Sequence, residues 1–252
     1  MEQRARTAGL SAKDLSFRYG TRCIFEQVNF NIPAGEIWGL VGRSGIGKST
    51  LLNIVLGLYQ PASGAVTVGD TGVAAPGCIR GAVFRDGSLL PWLSIIDNVL
   101  FPRRHDPGND EGKGRAEALL AEAGLRNRLD SLPKELSAGM AKRAEIVRAL
   151  VLDEAYFVAD EPFLGLDVLT RLELHRMWMR LNKDNRRTGI LCTHDPAEAI
   201  ALCDAVLVMR DRGDGVATVE VARFPAGEKS EDLLELADER VKTLVEMMGL
   251  TA

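Results

Sequence analysis

The sequence predicts an α/β fold in which a mostly parallel β-sheet is covered by helices on both faces. Short apolar runs typical of buried strands recur along the chain, and stretches with helical periodicity lie between them. Hydrophobic residues make up 46% of the 252, which is enough for a sizeable core. The net charge of −4, with acidic and basic residues interspersed, argues against the basic surface of a nucleic-acid binder.

The first strands are predicted near the N-terminus. Residues 16–20 and 28–32 alternate polar and apolar side chains, as half-buried strands do. We expect them to belong to an antiparallel β subdomain. A turn sequence at residues 33–36, Pro-Ala-Gly-Glu, separates them from the apolar run 37–41, which predicts a buried strand leading into a glycine-rich turn and a helix over 49–58.

More apolar runs predict the rest of the sheet, at residues 81–84, 156–159, 189–192 and 205–209. The stretch between the first and second of these is mostly helical. Its helices are predicted at residues 115–123 and 135–150, after a polar, solvated loop at 102–114. We interpret this stretch as a helical subdomain inserted into the α/β core.

A last helix is predicted over residues 230–249, where the apolar residues form one stripe that indicates packing against the core. We expect a single domain over residues 10–252. Its predicted parts are an α/β core with the β subdomain (10–84 and 151–215), a helical subdomain (85–150) and a helical C-terminal tail (216–252).

The termini and the cysteines point to a protein without a leader or a disulfide framework. Residues 1–9 are polar, and no uncharged apolar run reaches the roughly 18 residues of a spanning helix. No C-x-x-C pair or zinc spacing occurs, so we expect reduced thiols in or near the core. The cysteines are Cys23, Cys78, Cys192 and Cys203.

A phosphate-binding loop is the strongest motif. Residues 42–49 read Gly-Arg-Ser-Gly-Ile-Gly-Lys-Ser and fit the pattern G-x-x-x-x-G-K-[ST] between an apolar strand and a helix. The glycines let successive backbone N–H groups turn toward an anion, and the helix directs its positive end to the same place. Lys48 supplies a charge for the outer phosphates, and the hydroxyl of Ser49 is a ligand for Mg²⁺.

An acidic pair follows a second apolar strand. Asp160 and Glu161 come directly after residues 156–159. An aspartate at a strand end beside a phosphate loop is the expected partner of Mg²⁺. The adjacent glutamate suits the general base that activates the attacking water, a role worth about 10²–10⁴-fold in rate.

The segment between these two motifs is more specific than either. Residues 136–140 read Leu-Ser-Ala-Gly-Met, which resembles the signature L-S-G-G-Q, or its variant L-S-G-G-M, of ABC transporter ATPases. Residues 164–167 resemble the D-loop of that family, and residues 193–195, Thr-His-Asp, resemble its switch segment. Tyr19 stands where the family has an aromatic that stacks on adenine. The resemblance spans about residues 10–212.

The resemblance implies a fold and a set of roles. The fold is a P-loop NTPase (RecA-like) core with an N-terminal antiparallel β subdomain and an inserted helical subdomain. The residues expected to bind ATP are Tyr19, Gly42, Arg43, Ser44, Gly45, Ile46, Gly47, Lys48, Ser49 and Thr50. The residues expected to be catalytic are Lys48, Glu161 and His194, the last as sensor of the γ-phosphate. Mg²⁺ is expected on Ser49 and Asp160.

The resemblance also implies partners. Two copies pack head to tail, and the ATP on the loop of one is enclosed by the signature of the other. The residues expected to complete the partner's site are Leu136, Ser137, Ala138, Gly139 and Met140, with Asp167 in the D-loop. Membrane permease subunits and a substrate-binding protein complete the expected assembly, which places the chain at the cytoplasmic face of the membrane.

Two positions depart from the family pattern. The residue after strand 81–84 is Arg85 where the family has a Mg²⁺-contacting glutamine; a guanidinium has no acceptor and cannot ligand a metal. We expect Arg85 to turn away from Mg²⁺ or to reach the γ-phosphate, with slowed or retuned hydrolysis. Ala138 replaces the first signature glycine, which is harmless at helical φ and strained at positive φ.

The kind of transporter is indicated by two resemblances. Residues 88–92 and 96–99 (Ser-Leu-Leu-Pro-Trp and Ile-Asp-Asn-Val) and residues 161–171 resemble nitrate, sulfonate and taurine importer ATPases, implying uptake of a small anion. Residues 98–102 and 133–143 also resemble the ATPases of Mla-type phospholipid transport. Alternatives from other classes are a soluble ABC protein acting on DNA or the ribosome and a weakly or non-hydrolysing ATP-gated scaffold.

Overall fold

The computed structural model describes residues 9–69, 71–72, 81–103, 109–151, 156–183, 187–223 and 239–249. The strands are β1 (Leu10–Tyr19), β2 (Arg22–Ile32), β3 (Ile37–Gly42), β4 (Ser63–Val68), β5 (Thr71–Gly72), β6 (Gly81–Val83), β7 (Tyr156–Asp160), β8 (Thr188–Cys192), β9 (Ala205–Asp211) and β10 (Ala217–Ala222). The helices are α1 (Lys48–Val55), α2 (Ile95–Leu100), α3 (Asn109–Glu122), α4 (Ala138–Val151), α5 (Val168–Lys183), α6 (Pro196–Leu202) and α7 (Glu239–Met247).

The strands of the described residues form one sheet, in the order β5-β4-β1-β2-β10-β9-β3-β8-β7-β6. Strands β9, β3, β8, β7 and β6 pair in parallel, with the phosphate-loop strand β3 between β9 and β8. Strands β5, β4, β1 and β2 pair antiparallel at the other end. The predicted α/β fold with an antiparallel N-terminal part is therefore confirmed.

Alternation along the central strands divides the interior into two cores. In β3, Ile37 and Val41 face one side, while Trp38 and Leu40 face the other, as the period of two in a strand requires. The first core packs Ile37 and Val41 against helices α2 to α7. The second core packs Trp38 and Leu40 against α1 and the antiparallel strands. Because both faces of the parallel strands are covered, these strands are almost wholly apolar.

Several predicted helix boundaries are corrected by local geometry. Helix α1 ends at Val55 rather than at 58, since Gly57 has a left-handed φ of 72°. Helix α3 begins at Asn109, inside the segment predicted as a solvated loop, and Gly124 follows its C-terminus as expected. Residues 133–135 form a separate 3-10 turn before α4, stabilised by the Glu135 carboxylate, which accepts from the Leu132 N–H at 2.7 Å.

The tail predicted as helical over 216–252 begins instead with strand β10. This strand forms an antiparallel hairpin with β9, pairing Ala217 with Asp211 and Ala222 with Val206. The hairpin turn is held by the Asp211 carboxylate, which accepts from the N–H groups of Gly213 and Gly215 at 2.7 and 3.0 Å. Helix α7 confirms the end of the predicted helix 230–249, and residues 230–238 lie outside the described residues.

The cysteines that the structure describes form no disulfide with one another. Cys192 and Cys203 are buried and Cys23 is partly buried, as expected, while Cys78 lies outside the described residues. Burial raises the pKa of the Cys192 thiol well above its ordinary value. Across the described part of the chain, the helices are too short or too polar for any of them to cross a membrane.

Candidate active site

The phosphate loop joins β3 to α1 and packs against residues of β9 and β2. A Cβ at Gly42 would lie 2.4 Å from the carbonyl oxygen of Met209. A Cβ at Gly47, whose φ is 117°, would lie 2.7 Å from the Ile24 side chain. Both positions therefore need glycine, and the loop backbone is pressed onto β9 and β2.

The start of α1 offers free backbone donors. Its N-cap residue is Gly47, which provides no side-chain cap, and the first turn of this fully described helix holds no acidic residue. The first N–H groups of a helix have no partner within the helix, and its dipole is positive there. The end of the loop is thus suited to an anion such as phosphate.

Lys48 lies along the loop. Its Nζ donates to the carbonyl oxygens of Gly42 at 2.8 Å and Arg43 at 3.1 Å, and the residue is only 7% exposed. An ammonium group has three donors, so one remains for a ligand. These hydrogen bonds stabilise the loop, and they place the charged ammonium group beside the start of α1.

Ser49 and Asp160 meet across the sheet edge. Ser49 is in the first turn of α1, and Asp160 is the last residue of β7; the Ser49 hydroxyl donates to the Asp160 carboxylate at 2.9 Å. A hydroxyl and a carboxylate are hard oxygen ligands that fit Mg²⁺, which takes one or two protein oxygens beside phosphate oxygens and water. The donor set therefore fits the predicted ion.

Glu161 has a strained backbone and a crowded carboxylate. Its φ is 46°, a left-handed value that few residues other than glycine adopt, and its N–H donates to the Cys192 carbonyl at 2.9 Å. Its side chain is only 10% exposed. The Oε2 atom lies 3.5 Å from His194 Nδ1 and 3.9 Å from Arg85 Nε. Strain of this kind is found at functional sites.

Arg85 faces the carboxylate of Glu161 at the distance of a weak ion pair, and its expected relation to Mg²⁺ or the γ-phosphate stays a prediction. His194, two residues after the end of β8, lies near the same carboxylate oxygen, and its side chain is 57% exposed. The carboxyl ends of β6, β7 and β8 bring these residues together, as expected for parallel strands.

Tyr19 ends β1 beside α1. Its hydroxyl lies 3.4 Å from Thr50 Oγ1, and half of its surface is exposed. The ring packs edge-on against Phe17 and Tyr59, with centroid distances of 4.9 and 6.2 Å. An aromatic ring supported on one edge and open to solvent is suited to stacking on a base.

The signature residues lie at the start of α4. Ser137 caps the helix, accepting from the Met140 N–H at 3.3 Å, and Ser137 and Ala138 are exposed. Ala138 begins α4 and is not among the described residues with positive φ, so alanine is unstrained there. Gly139 is buried: a Cβ there would lie 2.5 Å from Thr170 Cγ2. Leu136 and Met140 pack against the first core.

Asp167 caps the next helix, α5. Its carboxylate accepts from the Thr170 N–H at 3.0 Å and the Thr170 hydroxyl at 2.6 Å. These hydrogen bonds hold the pKa of Asp167 below its ordinary value. Thr170 also lies against Gly139, so the first turn of α5, which follows the predicted D-loop, packs against the predicted signature.

A buried polar cluster beside His194 was missed from the sequence. Glu198 on α6 accepts from the Thr193 hydroxyl at 2.6 Å and lies 3.2 Å from His175 Nε2 on α5. Burial raises the pKa of Glu198, but the hydrogen bonds from His175 and Thr193 outweigh it and leave the pKa lowered. The sequence assigned His175 no role. His105, also unassigned, lies outside the described residues.

A second missed cluster fastens the loop after β6 to α4. Lys142 Nζ donates to the carbonyl oxygens of Phe84 at 3.1 Å and Arg85 at 3.5 Å, and pairs with Glu145 at 2.8 Å. The Glu145 carboxylate accepts from the Ser88 N–H, and Arg148 donates to the Ser88 carbonyl at 2.7 Å. Lys142 and Glu145 are buried. We call these three charged residues the α4 clamp.

The family is shown by comparison with known proteins. Residues 25–164, more than half of the chain, match the family model described as "ABC transporter". The chain belongs to the ABC transporter ATP-binding family. It therefore binds ATP and is an ATPase of this class.

Particular relatives are more informative. The chain is 39% identical to the aliphatic sulfonates import ATP-binding protein SsuB of Rhodopseudomonas palustris (strain BisA53), covering 94% of this chain and 83% of that one. It is 40% identical to SsuB 1 of Burkholderia cenocepacia (strain HI2424), covering 82% of this chain and 64% of that one. The fold is similar to that of the dimeric, post-hydrolysis ATP-binding cassette MJ0796 bound to ADP and Pi. That match has a TM-score of 0.72 and 27% identity, and covers 86% of this chain and all (100%) of that one.

Proposed function

We propose that this chain hydrolyses ATP to drive the uptake of aliphatic sulfonates through a separate membrane permease. The observation that carries the proposal is the meeting of an uncapped helix start, a hydroxyl–carboxylate pair and a strained glutamate at one sheet edge. The sulfonate substrate rests on the names of the relatives at about 40% identity. These relatives favour the importer resemblance over the lipid-transport resemblance.

The contacts at the sheet edge and the resemblance to the family support the proposed roles. Residues 42–50 bind the phosphates through backbone N–H groups and the Lys48 ammonium, and Tyr19 stacks on the base. Ser49 and Asp160 would hold Mg²⁺, and the bound ion would neutralise charge on the phosphate oxygens. Glu161 accepts a proton from the attacking water, and His194 senses the γ-phosphate beside it. Release of phosphate then removes the contacts that hold the closed state.

A second copy of the chain is proposed to complete the site. Ser137 and Ala138 are exposed at the start of α4, so the free N–H groups of that helix are available to the nucleotide of a partner. Near Asp167, Val168 and Leu169 are apolar yet 61% and 73% exposed, which suits burial against another protein. The dimeric cassette of similar fold supports this arrangement.

The permease is proposed to bind next to the loop after β6. Phe84 is 40% exposed and Trp92 is 71% exposed, which leaves large apolar side chains in contact with water. Such residues are typical of binding surfaces. With the permease as anchor, the chain lies at the cytoplasmic face of the membrane, and a substrate-binding protein delivers the sulfonate from the other side.

The full chain and its Glu161→Gln variant test the ATPase part of the proposal. The parent is expected to release phosphate from Mg-ATP. Glu161→Gln is expected to lose at least about 100-fold in rate, since the base is removed, and to accumulate an ATP-bound dimer on size exclusion. A parent with no turnover, or a variant that stays monomeric with ATP, would contradict the proposal.

Transport in vesicles tests the substrate. The chain is reconstituted with candidate permease subunits, and uptake of an aliphatic sulfonate, nitrate and a phospholipid is compared. ATP-dependent uptake of the sulfonate alone is the expected result. Movement of the phospholipid without uptake of sulfonate would favour the lipid-transport alternative.

A further inference from the structure

The carboxylate of Glu161 has two basic neighbours on one oxygen. Oε2 lies 3.5 Å from His194 Nδ1 and 3.9 Å from Arg85 Nε. If His194 serves the γ-phosphate as proposed above, Arg85 is the neighbour that stays with the carboxylate. The guanidinium has donors only, so its natural partner at this edge is the carboxylate and not a metal ion.

Arg85 is held in place through its main chain. Its carbonyl oxygen, and that of Phe84, accept from Lys142, and Ser88 further along the loop is bound by Glu145 and Arg148. Lys142 and Glu145 are 8% and 2% exposed, so these bonds are sheltered from water. The side chain of Arg85 is 52% exposed, while its carbonyl oxygen is bound by Lys142.

We propose that Arg85 is a positioning residue that orients the Glu161 carboxylate for attack by water, and that the α4 clamp fixes the loop from which it acts. The proposal rests on the function proposed above and deepens it. At this position a glutamine would act on the metal, whereas Arg85 acts on the base. Its loss should therefore change the rate of the chemical step and leave nucleotide and Mg²⁺ binding unaltered.

Three substitutions at position 85 separate charge from size. Arg85→Met keeps the length and loses the charge, Arg85→Lys keeps the charge, and Arg85→Gln introduces the family residue. Arg223→Gln is the matched control: its side chain is 55% exposed and lies 3.7 Å from Glu36, which precedes β3 at the opposite end of the parallel strands. Steady-state ATPase is measured over ATP and Mg²⁺ concentrations, and thermal unfolding checks that all variants are folded.

Arg85→Met is expected to lower kcat about tenfold, a part of what a general base contributes, with KM and the half-saturating Mg²⁺ concentration within twofold of the parent. Arg85→Lys should recover part of the loss, and the control should match the parent. An unchanged kcat in Arg85→Met would overturn the proposal. So would a raised KM or a shifted Mg²⁺ requirement, since Arg85 would then act on the nucleotide or the metal.

A second readout does not depend on turnover. In the Glu161→Gln background the carboxylate charge is absent, so adding Arg85→Met should leave the ATP-dependent dimer and the affinity for a fluorescent ATP analogue within twofold. A loss of dimer or affinity in this double variant would overturn the proposal. A parent without ATPase activity would overturn the proposed function as well. A parent that hydrolyses ATP at a rate unaffected by substitution of Arg85 would overturn only the role of Arg85, so the two failures are distinguishable.

Discussion

Two neighbouring signature residues, Ala138 and Gly139, have opposite requirements. Ala138 is exposed with helical backbone, while Gly139 is pressed against the methyl group of Thr170. The sequence left open whether alanine at 138 is strained. The structure answers that it is not, because the residue begins α4 with an ordinary φ. The second glycine is the one that the packing requires.

Gly139→Ala tests this at the residue scale. A Cβ there would lie 2.5 Å from Thr170 Cγ2, so the variant is expected to lose about 1–3 kcal/mol of unfolding free energy in urea. Thr170→Ser removes that methyl group but keeps the hydroxyl that donates to Asp167, and should recover much of the loss. Ala138→Gly is the matched control, with a cost of about 0.5–1 kcal/mol from helix propensity alone. Equal losses at the two positions would contradict the packing argument.

Residue identities could be predicted where a motif names them, but contacts between motifs could not. The loop 42–49, the strand end at 160–161 and the histidine at 194 follow from spacing and from the strands before them. The pairing of Arg85 with Glu161 depends on how the ends of β6 and β7 lie in space, which no local pattern encodes. Glu198 follows an N-cap aspartate by three residues, a spacing that predicts a helix cap, yet it points into a buried cluster instead.

At the scale of elements, the buried carboxylate of Glu198 joins α6 to α5 and to the end of β8. Its pKa is lowered, so its contribution to stability is complete at neutral pH and is lost as pH falls below about 4.5, its ordinary value, toward the folded-state value. Glu198→Gln is expected to lower the unfolding free energy at pH 7 by about 1–3 kcal/mol.

For Glu198→Gln, the change in unfolding free energy at acidic pH is a more specific test than the loss at pH 7 alone. Urea unfolding at pH 7 and at pH 4 should show a smaller loss between the two pH values in the variant than in the parent. Asp14→Asn, an exposed carboxylate on β1 that hydrogen-bonds Asn29, is a suitable control with a parent-like profile. An identical pH dependence for Glu198→Gln and the parent would contradict the role assigned to this carboxylate.

The α4 clamp is the other link between elements. Lys142→Met removes the charge that holds the Phe84 and Arg85 carbonyl oxygens and leaves Glu145 buried without it. The expected cost is about 3–5 kcal/mol of unfolding free energy, since one partner of a buried ion pair is lost. Lys142→Met with Glu145→Leu together should cost less than Lys142→Met alone, and the urea midpoints of the parent, the two single variants and the double variant measure this.

Element boundaries were predicted less well than element types. The strand β10 alternates apolar and polar residues over 217–222, but its short length and its place after the core left it within a predicted helical tail. The start of α3 at Asn109 was hidden by glycines and charges that elsewhere indicate a loop. In both cases pairing with β9 or packing against α4 outweighs local composition.

At the scale of the whole molecule, the exposed tryptophan at position 92 is the clearest candidate contact with a permease. Trp92→Ala is expected to leave the ATPase rate of the isolated chain within twofold, because its side chain is 71% exposed and packs little against the rest of the chain. In vesicles with the permease, sulfonate uptake should fall about tenfold or more, as for an interface hot spot. Leu58→Ala, another exposed apolar side chain, serves as control. Uptake equal to that of the parent would show that Trp92 does not contribute to permease binding.

The contact between Gly139 and Thr170 has a consequence for assembly. The signature begins α4 and the D-loop begins α5, and at this contact the two helices leave no room for a methyl group. This close packing opposes sliding of one helix against the other, so we expect both segments to meet the proposed second copy as one unit. Docking should then occur in a single kinetic phase, in which neither segment engages the other molecule ahead of the other.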